Sequence, residues 1–335
     1  MHLGKSYKIT EFLVWSRRQI YALLIVSSVP VVLYQSFGLK WLSVPLTVVV
    51  LLGTATSFIV GFKNVQTYNR ALEAQHIWIA ILTGSRVWGV ISRDLTKDAR
   101  TARELVYRHF AWLTALRYQL RDARVWESAD KPFNVEYRKF YRIPERQVAV
   151  EDALSRYLSA IELASILRTH NRAAQALAMQ GAALKQLLAS GAISSDAYME
   201  FQRGVRDFFD QQGRAERIKE FPYPRQYATI NTLFVRAFCL LLPFGLLKEF
   251  DGLNDSVNGF MHGHMIWLLV PFSMMVSWMY TSLEQVGEST ENPFEGGAND
   301  VPITRICELI ERDLREILGE TDLPPTAAPC GPIVL

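Results

Sequence analysis

The chain has 335 residues, half of them hydrophobic and 21% charged, with a formal net charge of +3. A soluble chain of this length spreads its apolar residues periodically through two or three domains. Here they gather in four nearly charge-free blocks, which excludes an ordinary soluble protein and points to an all-α integral membrane protein.

The N-terminal segment carries Lys5, Lys8, Arg17 and Arg18, and the first apolar span follows at about 20–37, with Pro30 inside it. This block is too long for a cleaved leader and lacks a small-residue cleavage site. The turn Gly38-Leu39-Lys40 is so short that the next helix is expected to run antiparallel against the first. The second span, about 41–62, holds no charge and contains the small-residue run Gly53-Thr54-Ala55-Thr56-Ser57, which suits close helix approach or a narrow lining. Nothing stops the helix after Phe62, so it is expected to continue through Ala74 and beyond.

Residues 63–226 read as helical almost throughout. Breaks are expected at Ser128 to Pro144, which includes Asp130, Pro132 and Asn134, and at Ser190-Gly191. The segment Pro222-Tyr223-Pro224 should return the chain to the membrane. A serine or aspartate before the restart at 195–196 suits an N-cap. The third and fourth spans lie at about 228–247 and 264–283, interrupted by Pro243, Gly245 and Pro271, with Trp267, Trp278 and Tyr280 fitting an interfacial belt. The tail begins acidic, forms one helix over about 303–319 and ends in a Pro-rich stretch without packed structure.

Charge gives the orientation. Residues 63–226 hold 26 Lys and Arg against 18 Asp and Glu, whereas 248–263 holds one Lys against three acids. Basic segments stay cytoplasmic, so both termini and the middle region face the cytosol and 248–263 faces outside. The organisation is therefore 1–62 (N-terminus and two spans), 63–226 (cytosolic helical region), 227–285 (two spans) and 286–335 (cytosolic C-terminal segment).

No phosphate-cradling glycine loop, His-Glu-x-x-His motif or nucleophilic triad is present, so the chain does not read as an enzyme. Its basic stretches are interleaved with acids, as on a solvated helical face rather than a nucleic-acid surface. Cys239, Cys307 and Cys330 lack metal or disulfide spacing and read as reduced thiols. His262-Gly263-His264, flanked by methionines, is too sparse for a metal site.

Three features could act on ions. Thr54, Phe58 and Phe62 share one face of the second span; packing or lipid contact is the plainer reading of two such phenylalanines. Glu284, Glu288 and Glu291 form an i, i+4, i+7 stripe that could attract cations or pair with the basic region. Arg236, inside the third span, could draw anions, pair with a glutamate of the fourth span or snorkel to the interface.

Two stretches resemble the bestrophin family, especially its bacterial members. The first is Ser57-Phe58-Ile59-Val60-Gly61-Phe62 with Tyr68, Arg70, Glu73-Ala74, Trp78 and Ser85-Arg86. The second is Leu242-Pro243-Phe244-Gly245 with Glu284, Gly287, Glu291-Asn292-Pro293-Phe294 and Asn299-Asp300-Val301-Pro302-Ile303. The resemblance covers about residues 1–320. It implies a homopentamer in the cell (inner) membrane, contacting lipid and small inorganic ions, with one axial pore. Its neck would be formed by rings of Phe58 and Phe62, with Thr54 where a bulkier apolar residue is usual. It also implies a second constriction on the cytosolic side, near Ile193. Animal members clasp calcium after Asn-Pro-Phe with an acidic run; here only Glu295 and Asp300 are acidic, so no calcium or other cofactor is expected. Chloride or another small anion is the expected ion. The alternatives are a monovalent-cation channel of the same family, a secondary transporter or a membrane-anchored scaffold.

Overall fold

The chain, described by a computed structural model, is defined over residues 4, 7–128, 131–324 and 333–335. Lys5, Asp130, Cys330 and most of the Pro-rich stretch lie outside the described residues. The regular elements among the described residues are α-helices and short 3-10 turns, and the chain divides into two compact units.

The apolar unit takes in residues 5–69 and 223–291. It contains α1 (Ile9–Ser36), the first part of α2 (Leu46–Leu95), α9 (Arg225–Gly252) and α10 (Leu269–Thr290). These four helices are long and apolar enough to cross a membrane. As expected, α2 does not stop at Phe62; it runs for 50 residues. It starts later than position 41, because Lys40–Leu42 form a 3-10 turn and Pro45, which has no N–H, precedes Leu46.

α1 packs on α9 and α10, and its Leu23 shares a buried cluster with Val49 and Val60 of α2. Gly38, in the left-handed region at φ +67°, begins the connection between α1 and α2. The belt reading also changes. Trp278 donates to the Ser16 hydroxyl at 3.0 Å and Tyr280 to the Gly53 carbonyl at 3.1 Å, so both polar tips are used inside the bundle. The start of α2 is tied to α9 by the Val44 amide, which donates to the Phe244 carbonyl at 3.2 Å.

The larger unit takes in residues 70–222 and 292–335. It comprises the second part of α2, α3 (Ala99–Arg121), the short α4 (Pro132–Tyr137) and α5 (Val150–Leu154), α6 (Ala160–Leu167), α7 (Arg172–Ala189), α8 (Ser195–Glu220) and α11 (Ile303–Ile317). The breaks expected near 128–144, at Gly191 (φ +71°) and at 222–224 are present. Others were hidden in the helical pattern and are marked by caps. Asp98 accepts from the Thr101 amide at 2.8 Å, Ser159 and Glu162 form a capping box, and Asn171 caps α7. At the expected restart, Ser194 caps α8.

The core of this unit is aromatic, with Trp78, Trp88, Trp112 and Phe201 fully buried. His109 lies among them, stacked on Trp88, with Nε2 2.8 Å from the Ser85 hydroxyl. The Ser85 hydroxyl donates to the Ile81 carbonyl, so His109 Nε2–H is the donor to Ser85. Burial pushes the His109 pKa from 6.5 down to about 3. The folded state therefore keeps His109 neutral while the unfolded chain binds a proton below pH 6.5. Stability is full above that pH and falls by about 1.4 kcal/mol per pH unit below it, until the folded pKa is reached. Thermal melts of the purified protein between pH 7 and 4.5 should show this slope, and His109→Gln should flatten it; an unchanged slope in the variant would assign the acid sensitivity elsewhere.

Candidate functional site

Within the apolar unit, α2 has two unlike faces. Val49, Gly53, Thr56, Val60, Lys63 and Thr67, at three- and four-residue spacing, are buried. Gly53 is required by the packing, since a Cβ there would come within 2.6 Å of the Phe238 ring. Part of the small-residue run therefore serves helix packing. Thr54, Ala55 and Ser57 remain exposed.

The opposite face presents Thr54, Phe58 and Phe62. Phe58 is 76% exposed and Phe62 57%, although both are large apolar side chains. The Thr54 hydroxyl donates to the Val50 carbonyl at 2.9 Å, so its only donor is spent on its own helix. All three positions thus offer weakly polar surface. A groove of about 390 Å³ runs beside Phe58, bounded by Val49, Gly53, Phe238, Leu242 and Tyr280.

The residue after Phe62, Lys63, turns inward and is 2% exposed. Its ammonium lies 3.5 Å from the Glu291 carboxylate, which Arg225 also approaches at 3.2 Å. Thr67 and Thr290 hydroxyls meet at 3.3 Å one turn further along. The glutamate stripe is therefore not an open acidic face. Glu284 and Glu291 are buried, Glu288 is half-buried, and the pairing alternative is realised at Glu291. Arg236 is exposed on α9 and near enough to Glu284 to act on it electrostatically. Lys63 was missed by the sequence reading, which treated it as the first residue of the basic region. Its signal was a lone lysine on the small-residue face of an otherwise uncharged helix.

Ile193 does not behave as a lining residue. It is 4% exposed and packs in the core of the larger unit, so within one protomer it presents no surface to a lumen. The exposed residues of that turn are Ser190, Gly191 and Ser194. His262 and His264 sit in the loop between α9 and α10, where each Nδ1 lies close to backbone carbonyls. Among the described residues no group of three or more His, Cys, Asp or Glu side chains could hold a metal ion.

The segment after Asn292-Pro293 is a tight loop of the larger unit. Phe294 is buried at φ +76° and Gly296 follows at φ +87°. Asp300 organises it, accepting from the Phe294 and Gly296 amides at 2.8 Å each and from the Arg121 guanidinium at 2.8 Å. Glu295 accepts from the Ser128 amide and hydroxyl, and burial pushes its pKa up to about 7. As a calcium site the loop fits poorly: both carboxylates are occupied by donors, one of them already cationic.

A family model for bacterial and fungal bestrophin proteins matches residues 17–316. The voltage-dependent anion channel-forming protein YneE of Salmonella typhi is 27% identical over 297 residues, covering 88% of this chain and 83% of its own. The voltage-dependent anion channel-forming protein RSc3414 of Ralstonia nicotianae is 25% identical over 281 residues, covering 83% and 79%. A crystal structure of a bacterial bestrophin homolog from Klebsiella pneumoniae superposes with a TM-score of 0.75 at 23% identity, covering 91% of this chain and 98% of that one.

Proposed function

The chain belongs to the bacterial and fungal bestrophin family, and from that premise we propose that it assembles as a homopentamer in the cell inner membrane and conducts chloride or another small anion through an axial pore. Thr54, Phe58 and Phe62 of α2 line the neck. The observation that carries this reading is the exposed, weakly polar face of α2 over its uncharged stretch 46–62, whose opposite face is buried. Five such faces around an axis bury their apolar area and leave a narrow dewetted passage, which gates by excluding water. Phenylalanine ring edges carry partial positive charge and suit a partly dehydrated anion.

In this reading the larger unit and both termini face the cytosol, where the excess of basic residues raises the local anion concentration. Calcium is not required, since the donors around Glu295 and Asp300 already fill the loop. The second constriction is not assigned to Ile193.

Recording of the purified protein in a planar bilayer under a KCl gradient tests this. The expected current reverses close to the chloride equilibrium potential and is the same with and without a calcium chelator. Reversal near the potassium potential would transfer the reading to a cation channel of the same architecture. Confirmed incorporation without current would leave a transporter or a membrane-anchored scaffold as the working interpretation.

A further inference from the structure

The buried charges of the apolar unit, among the described residues, are one lysine and two glutamates: Lys63, Glu284 and Glu291. Helices α9 and α10 run antiparallel in a constant register. Arg225 meets Glu291, Thr232 meets Glu284 and Cys239 meets the Ser277 carbonyl, stepping seven residues each time. This register fixes both carboxylates on the face of α10 turned toward its neighbours.

Lys63 crosses α10 between them. Gly287 lies one turn after Glu284 and one turn before Glu291. A Cβ there would fall within 2.3 Å of the Asn64 Oδ1, so the glycine lets α2 come close at this level, and the Lys63 Cε passes 3.8 Å from the same point. The ammonium is 3.5 Å from Glu291 and near enough to Glu284 to act on its charge. Arg225 completes the group from the rim, half-exposed, at 3.2 Å from Glu291.

We propose that Lys63 is the specificity-determining counter-ion of the neck: it offsets part of the field of Glu284 and Glu291 at the level of Phe62 and thereby keeps that end of the pore open to anions. The inference rests on the pore reading above. Lys63 follows Phe62 directly, so their Cα atoms stand about 3.8 Å apart, with the Phe62 ring on the exposed face and the Lys63 ammonium on the packed face of the same helical turn. Buried charges in a low-dielectric bundle are little screened by salt, and their field reaches a neighbouring lumen. Loss of one positive charge per protomer is multiplied by the number of protomers around the axis.

Reversal potentials of wild type, Lys63→Gln and the double variant Lys63→Gln/Glu291→Gln, measured in the same KCl gradient, test the inference. Lys63→Gln should lower the chloride-to-potassium permeability ratio about tenfold. The double variant has no net charge change and should return to within about threefold of wild type. Where Lys63→Gln does not assemble, Glu291→Gln alone carries the test with the sign reversed, toward chloride. A conducting wild type beside a variant whose ratio is unmoved, or a double variant that does not return, overturns this inference alone. A wild type that prefers potassium defeats the anion assignment but still requires Lys63→Gln to move further toward potassium. A silent wild type overturns the pore reading and this inference with it.

Discussion

Phe58→Ala is expected to raise single-channel conductance about tenfold, the change that follows from removing about 1.4 kcal/mol from the barrier at a dewetted ring. The reasoning starts from exposure. A phenylalanine at 76% exposure on an otherwise packed helix contributes little to the fold of its own protomer, so truncating it should leave assembly intact. Its effect must come from whatever the exposed face meets. If that is a lumen, alanine widens the passage and admits water where the ring excluded it. If it is lipid, conductance will not change. Ile25 supplies the control, because it is also exposed, at 63%, but lies on α1. Ile25→Ala should leave conductance within about twofold of wild type. Equal responses from the two variants would remove Phe58 from the neck.

The four spans were legible because hydropathy is a strong, local signal: a window of twenty apolar residues has few other uses. Much of α2's further course was legible from the absence of any stop after Phe62. What the sequence could not give was partnership. The packing of α1 on α9 and α10 had no local signal, and only the tertiary arrangement shows that Gly53 must admit the Phe238 ring and Gly245 the Val49 side chain. The acidic stripe on α10 illustrates the same limit. Its spacing predicted a shared face, but the ion pair of Glu291 with Lys63 joins residues more than two hundred positions apart in the chain and has no local signal. Ile193 was placed by resemblance in a poorly matching stretch, and it fell on the buried side of its turn.

Arg121→Met should destabilise the larger unit by about 3–5 kcal/mol, because it removes one partner from a buried ion group and leaves the others uncompensated. Arg121 closes α3 and is 4% exposed. It donates to Asp300 at 2.8 Å and to the Phe294 carbonyl at 3.0 Å, and lies 3.8 Å from Glu145. Glu145 also pairs with Arg117 at 3.1 Å and accepts from the Thr304 hydroxyl at 2.6 Å. Two cations and two carboxylates are thus balanced in the interior, and the loop from Phe294 to Val301 hangs on one of them. Asp300 holds three amides of that loop, including its own neighbour Val301 at 2.7 Å, and the guanidinium holds that carboxylate in place. Thermal melting of the detergent-purified variant should fall by on the order of 10 °C. Arg121→Lys keeps the charge but loses the guanidinium that places Nη1 on both Asp300 and the Phe294 carbonyl while Nε faces Glu145, so it should recover only part of the loss. The double variant Arg121→Met/Asp300→Asn should cost less than the sum of the single changes, since it deletes the stranded charge along with its partner. A melting temperature within about 2 °C of wild type for Arg121→Met would show that the loop is held by its amide bonds alone and that the ion group adds little.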